Sequence, residues 1–571
     1  MNLMMPEDRF KIISDDYIDL IIQYNGNFNI LKQYEEYSVH SINPGYAAIY
    51  LPVSQITNQL SQEFGYAGIP KCYSLSSYES LVASGVTRLR SVPALNLRGE
   101  GVLVGFVDTG IDYTNPVFLK EDGTTKIAAI WDQTIESGPY PELRFPAYFG
   151  TEYTSEQINQ ALNSPDPLEI VPSMDENGHG TMLAGIAAGS ENKRNQFEGV
   201  VPDAELLVVK LKQAKRNLMD YYFIPPDVPC YQETDLNWGV QYLINTADKL
   251  KRPLVVCIAV GTSQGPHGGY GLIGSLLRIV GDCPGVGITI AAGNEAQARR
   301  HFYSILDLTK TVTVELNVAP DEYGFTMELW GSPPMIYTID ILSPSGEFIP
   351  AIPQGLFETK VVRFIFDQTV LYINYIMIEQ DSGKQVIILR FENPTRGIWR
   401  FRVSGKGDIP GDFHIWLPSG DFISNETFFL NSDPYTTITS PGNNLLPITV
   451  TAYNAATGAL YPESGKGFST SNIINPDLSA PGVNVVCPTL NNEFTTITGT
   501  GAAAAHMAGL VAMIFEWGII NENYPRLDTL GAKKFLLRGA ERDSDLLYPN
   551  QNWGYGIVDI YNSYNIFRTI I

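Results

Sequence analysis

Val102-Leu103-Val104-Gly105-Phe106-Val107-Asp108-Thr109-Gly110-Ile111-Asp112 is a nearly unbroken apolar run that stops at an acid, a hydroxyl and a glycine. Alternating apolar and polar residues would mark a strand wet on one face. A continuous run marks one buried on both faces, as in a parallel sheet. Runs of the same kind recur at Leu206 to Val209, Leu254 to Val260, Gly287 to Ala292 and Ile448 to Ala452, with helical spacing at Thr181 to Ala188 and Leu236 to Leu250. This alternation predicts an α/β fold with a doubly wound parallel sheet and sites at the carboxyl ends of its strands.

Outward from that core the character of the chain changes on both sides. A length of 571 residues predicts two to four domains. Residues 1–92 read as a small α+β unit, with strands at Tyr17 to Tyr24 and Gly45 to Pro52 and an amphipathic helix over Ser54 to Phe64. Residues 93–304 and 441–571 carry the parallel-sheet pattern. Between them, residues 305–440 hold many short β-rich segments separated by turn signals such as Asp381-Ser382-Gly383-Lys384. That middle stretch predicts an inserted all-β sandwich of jelly-roll type.

The formal net charge of -23 argues against nucleic acid or an anionic membrane as partner, since either would want a basic face. Five cysteines (Cys72, Cys230, Cys257, Cys283, Cys487) are odd in number and lack metal-ligand spacing, so no disulfide framework is expected and a reducing compartment fits. The first residues lack the basic-then-apolar pattern of a signal peptide, which predicts synthesis in the cytoplasm. Gly501 to Ile520 is apolar, yet contains His506 and Glu516 and begins with small residues. It reads as a buried helix, and no membrane span is expected.

Three segments carry the chemistry. Val107 to Asp112 presents a carboxylate at a strand end. Asn177-Gly178-His179-Gly180-Thr181 places a histidine at a glycine-flanked helix start. Gly499-Thr500-Gly501-Ala502-Ala503-Ala504-Ala505-His506-Met507-Ala508-Gly509 opens a helix of small residues. Aspartate, histidine, then nucleophile is one of the chain orders in which a serine triad is built. With their flanks the three segments resemble the subtilase superfamily. Ala291-Ala292-Gly293-Asn294, Pro476 to Gly482 and Gly554-Tyr555-Gly556 resemble its oxyanion, pre-nucleophile and closing segments. Asn115-Pro116-Val117-Phe118, Asp122-Gly123-Thr124-Thr125 and Ile130-Trp131-Asp132-Gln133 are similar to the Csp subtilases of spore-forming clostridia, which act in spore germination.

The resemblance implies a role for each residue. Asp108 would orient His179, which would deprotonate a serine at position 501. Asn294 and the 501 backbone N–H would receive the oxyanion. Ala259 and Gly261 would line the substrate strand, and residues 1–92 would be a propeptide whose tail, Ser84 to Arg98, runs into the cleft. Position 501, however, is glycine, with alanine at 502 to 505. Loss of a triad nucleophile costs on the order of 10⁶ in turnover. Ala259 replaces a usual serine and Ala505 a usual proline, in keeping with relaxed catalytic constraint. The resemblance therefore implies a Csp-type pseudoprotease of the spore, a regulator or germinant-signalling protein. Its expected partners are a related active subtilase or cortex-lytic proenzyme, its own propeptide, and a small-molecule germinant. The rival reading is a subtilisin-like endopeptidase inactivated in this version of the chain. No cofactor is required; calcium, which many subtilases bind, has Glu541, Asp543 and Asp545 as its candidate ligands. Asp108 and His179 also have a bland reading as a structural remnant, a paired charge that is costly to break. His506 reads as a core residue, and Cys257 and Cys487 as small hydrophobes.

Overall fold

The computed structural model describes residues 6–55, 64–75, 83–144, 147–308, 310–351 and 357–568. The helix expected over Ser54 to Phe64 falls almost wholly outside the described residues. The chain opens with an antiparallel sheet of order β1-β3-β2, from β1 (Tyr17–Gln23), β2 (Val39–Ser41) and β3 (Tyr46–Pro52). Its pleat separates two apolar faces. Ile21, Tyr46, Ala48 and Tyr50 pack on the helices Glu233–Leu250 and Gly271–Gly281, whereas Leu20, Ile22, Ile49 and Leu51 meet Leu218, Met219 and Tyr222. Asp19 on β1 forms a buried ion pair with Lys215 and accepts from Gln232 Nε2 at 2.8 Å. A fourth strand, β4 (Cys72–Leu75), then leaves this unit.

The main sheet collects β5 (Leu103–Asp108), β6 (Ile127–Asp132), β7 (Thr151–Thr154), β8 (Glu205–Lys210), β10 (Leu254–Ile258) and β12 (Val286–Ala291), with β24 (Ile448–Tyr453) and β25 (Leu478–Pro481) from beyond the insertion. The order is β25-β24-β12-β10-β5-β8-β6-β7, parallel except for β7. Alternate residues of β5 serve opposite faces: Val104 and Phe106 meet the helices His179–Ala188 and Thr500–Phe515, and Leu103 and Val107 meet the other pair. The doubly wound α/β expectation is thus met. Thr500 to Phe515 is buried along its whole length. With its continuation to Ile520 it is long and apolar enough to cross a membrane, but 83% of that window is buried inside the fold. Two short strands, β9 (Tyr231–Gln232) and β11 (Val260–Gly261), stand apart beside β4.

The insertion is a sandwich of two antiparallel sheets around one core. Six strands, β13 (His301–Leu306), β15 (Gly324–Gly331), β18 (Phe357–Arg363), β19 (Val370–Ile376), β20 (Gln385–Glu392) and β22 (Gly411–Trp416), face five, β14 (Val312–Val318), β16 (Ile336–Leu342), β17 (Phe348–Ile349), β21 (Gly397–Lys406) and β23 (Phe428–Phe429). β13 begins at His301, within the stretch read from sequence as parallel sheet. The two ends of the sandwich are tied together, Phe429 N–H donating to Arg299 O at 3.0 Å and Asp433 N–H to His301 O at 2.8 Å. Its six-stranded sheet turns Trp330, Ile388 and Trp416 toward Tyr66 of the N-terminal unit. There the Glu328 carboxylate accepts from Tyr66 O–H at 2.8 Å, Trp330 Nε1–H at 2.9 Å and Gly265 N–H at 2.9 Å.

Three histidines far apart in sequence stack around Trp416. His267 lies 4.1 Å from its ring at 7° and His414 4.9 Å at 5°, while His301 Nε2 is 2.9 Å from His414 Nδ1. Burial pushes the His301 pKa down to about 3 and, against two carbonyl partners, that of His267 to about 4. His506 is pushed to about 3 by burial as well. A folded value below the unfolded one of about 6.5 means stability present above pH 6.5 and lost as pH falls toward the folded pKa, at about 1.4 kcal/mol per pH unit per ring. Asp235, raised by burial to about 6, works in the opposite sense below that pH. We expect the urea midpoint to be level around pH 7, below the range where buried Lys126, lowered to about 8, titrates, and to fall from pH 6.5 to 5.5, less steeply in His301→Gln. A level midpoint across that range would contradict the buried neutral rings.

Candidate functional site

Asp108 stands at the carboxyl end of β5, where a central parallel strand delivers a side chain to the open edge of the sheet. Its Oδ1 accepts from Thr109 N–H at 2.8 Å and lies 2.7 Å from His179 Nδ1, with both side chains buried. The turn before His179 is built by Asp175, which sequence reasoning did not single out. Its carboxylate accepts from Gly178 N–H at 2.8 Å, Thr181 N–H at 3.0 Å and Thr181 Oγ1–H at 2.7 Å. Gly178 takes φ +89°, and a Cβ on Gly180 would sit 2.2 Å from Gly110 O, so the glycines flanking His179 let the helix start directly against the Asp108 loop.

Gly501 occupies the first turn of the helix Thr500–Phe515, and Asn294 reaches that turn from the loop after β12. Asn294 Oδ1 accepts from Thr500 N–H at 3.1 Å and from Thr500 Oγ1 at 3.1 Å. Gly293 N–H donates to the same Thr500 hydroxyl at 3.0 Å. The hydroxyl nearest in sequence to position 501 is therefore tied down inside the fold and cannot serve as a substitute nucleophile. With its oxygen engaged, the Asn294 amide keeps its N–H groups as donors, the chemistry an oxyanion site requires.

β4 lies between β9 and β11, antiparallel to both. Cys72 pairs with Gln232 and Tyr73 with Tyr231 on one side, and Ser74 pairs with Gly261 and Leu75 with Val260 on the other. The N-terminal unit thus inserts its own strand into a groove that ends beside Ala259, Gly261 and Asn294. A cavity of about 530 Å³ adjoins it, lined by Gly261, Gly293, Asn294, Glu295, Arg299 and Thr439 among others. Thr439 Oγ1 would be 2.3 Å from a Cβ on Gly261 and 2.5 Å from one on Gly293, so glycine at both positions makes room for this close approach.

A sequence model of the subtilase family matches residues 99–315 and 424–556. The chain belongs to the subtilase family. The solved structure of the Clostridium perfringens CspB protease is similar over 86% of this chain and 99% of that one, at 29% identity and a TM-score of 0.76. The subtilisin-like protease SBT3.5 of Arabidopsis thaliana is 22% identical over 525 residues, covering 81% of this chain and 62% of that protein. The C5a peptidase of Streptococcus pyogenes serotype M1 is 24% identical over 432 residues, covering 67% and 32%. The chain spans about three fifths or less of the length of these curated relatives. The subtilase fold and its Csp-type architecture are shared, and the unmatched block between the two matched ones lies within the sandwich.

One expectation for this subtilase needs correction. Ser84 to Arg98 was expected to run into the cleft, but the groove is filled by Cys72 to Leu75 instead. Ser84, Val86 and Leu89 are buried in the core under the Gly501 helix. Arg88 pairs with Asp559 at 2.6 Å and Arg90 with Glu198 at 2.5 Å. Residues with that much core burial cannot also reach a solvent-lined groove. Ser84 Oγ lies 2.6 Å from His506 Nε2, a serine–histidine pair with no access for a substrate, since both residues are fully buried. Cys257 lies on β10 within the core, its thiol pKa pushed up by burial, as a small hydrophobe would be. Asp543 holds the Asp545 amide at 2.9 Å. Among the described residues no three His, Cys, Asp or Glu side chains group as a metal site.

Proposed function

We propose that this subtilase is a Csp-type pseudoprotease that regulates or signals in bacterial spore germination, in contact with a related active subtilase or a cortex-lytic proenzyme. The observation that carries this reading is Gly501, a residue without a side chain at the head of the nucleophile helix, where the hydroxyl next in sequence, that of Thr500, is bonded to Gly293 and Asn294. The likeness to the Clostridium perfringens CspB protease supports the Csp-type part of this reading. A spore location, a small-molecule germinant and accessory calcium belong to the same proposal.

A second reading, an endopeptidase that processes a cortex-lytic proenzyme and is inactivated in this version of the chain, is favoured by the intact 2.7 Å contact between Asp108 and His179. The codon for residue 501 in the source genome separates the two: glycine supports the regulator, serine the enzyme. In either case the purified protein should not react with a fluorophosphonate probe, which needs an activated serine, and should keep its full mass. Stoichiometric labelling between residues 495 and 510 would overturn the assignment of the missing nucleophile. A germinant would register as a thermal shift, worth about 2.7 kcal/mol at 100 times its dissociation constant.

A further inference from the structure

The six-stranded sheet of the sandwich ends on β18, which among the described residues pairs with β19 alone. Such an edge presents a row of backbone N–H and C=O groups to any strand that comes alongside. Proteins that stay apart usually break it with proline, a bulge or short length. β18 has none of these. It runs for seven residues without proline and follows β19 in unbroken register, from Phe357 opposite Ile376 to Arg363 opposite Val370. Its two faces carry different chemistry. Phe357 and Val361 stand on one face and are 40% and 37% exposed. Glu358 and Lys360 stand on the other, which they share with the buried Val362. Neither of the two charged residues is itself buried, and neither forms an ion pair among the described residues.

We propose that β18 is a dimerisation edge, which pairs antiparallel with β18 of a second copy of this chain about a twofold axis at Thr359. Residues directly opposite on paired strands point to the same side of the sheet, with Cβ atoms about 4.5–5.5 Å apart. A centre at Thr359 sets Glu358 opposite the second copy's Lys360 and Phe357 opposite its Val361. Symmetry makes each of these contacts twice. The other registers are worse. A centre at Glu358 or at Lys360 sets like charges against each other, and one at Val361 faces Lys360 with Val362. A slip of a single residue on one strand turns the apolar face of one copy against the charged face of the other. The strand is thus its own complement in one register, and these matched charges favour a second copy over a strand of unrelated sequence. The two six-stranded sheets then run on as one across the twofold axis. This inference does not depend on whether residue 501 is glycine or serine.

The test is sedimentation velocity on the full chain, over a concentration series reaching about 0.1 mM. A reversible equilibrium between monomer and dimer is expected. Lys360→Glu faces Glu358 with a second acid, and Glu358→Lys faces Lys360 with a second base. Each should weaken the dimer about tenfold or more. An equimolar mixture of the two variants should dimerise again, because every acid then meets a base. The double exchange, Glu358→Lys with Lys360→Glu, should do so by itself. Melting temperatures matched to the wild type check that each variant is folded. A monomer at every concentration would overturn the proposal and leave the edge to a strand of another protein. A dimer that both single variants leave intact would overturn it too, as would a loss that neither the mixture nor the double exchange restores.

Discussion

Gly501→Ser should cut its own chain once, just beyond Leu75, and then turn over added peptides slowly. Asp108 and His179 are already 2.7 Å apart, and Asn294 is anchored at the head of the same helix, so serine restores the missing part. The gain available is on the order of 10⁶. Placement is the limit, because a nucleophile must be held to about 0.5 Å and Ala505 and Ala259 depart from the usual pattern. The strand already seated between β9 and β11 offsets that loss, since a tethered, oriented segment reacts at effective molarities on the order of 10⁵ M or more. The site of cleavage follows from register: Ser74 opposite Gly261 and Leu75 opposite Val260 lead β4 toward Ala259 and the catalytic end of the groove. Intact masses of Gly501→Ser and of its His179→Ala double mutant, followed over days, decide the matter. If neither is cut, the remaining geometry is incompetent; if both are cut alike, the protease is foreign.

Glu328→Ala should cost on the order of 3–9 kcal/mol of stability, because three buried donors lose their acceptor at about 1–3 kcal/mol each. They are Tyr66 from the N-terminal unit, Gly265 from the subtilase body and Trp330 from the sandwich. Glu328 itself is only 2% exposed, so water cannot take its place without rearrangement. Burial pushes its pKa up, and a neutral acceptor should serve nearly as well, so Glu328→Gln should lose less than half as much. Urea unfolding followed by tryptophan fluorescence measures both. Equal losses for Ala and Gln would show that the donors do not matter, and a loss below 1 kcal/mol for Ala would show that the three parts do not depend on this carboxylate.

The parallel sheet and the three site segments were legible because each is written in contiguous residues. β5 announces itself by six buried positions in a row, His179 by its flanking glycines, and position 501 by the run of small residues that follows. What could not be read is what depends on partners remote in sequence. β4 is four residues with no periodicity, and it becomes a strand only because Tyr231 and Gly261 supply both edges. His267, His301 and His414 have no motif spacing, and their stack exists because β13 and β22 pair in a particular register. Asp19 and Lys215 are ordinary surface residue types until the first sheet covers them. Ser84 to Arg98 was misread for a related reason. Its short apolar stretch carries no mark that distinguishes docking under a helix from lying in a groove.

The tied ends of the sandwich bear on how the chain finds its fold. β12 and β24 are parallel neighbours in the central sheet, yet the whole insertion separates them along the chain. A flexible loop of that length would slow the search for this pairing, because its closure entropy must be met before the contacts form. If the sandwich collapses first on its own core, Arg299 and Phe429 are brought together, and the effective loop shrinks to residues 292–298 on one side and 430–447 on the other. The insertion then acts during folding as a preformed clasp, and core substitutions such as Phe401→Ala should delay the arrival of the Gly501 helix, more than 70 residues downstream of the clasp.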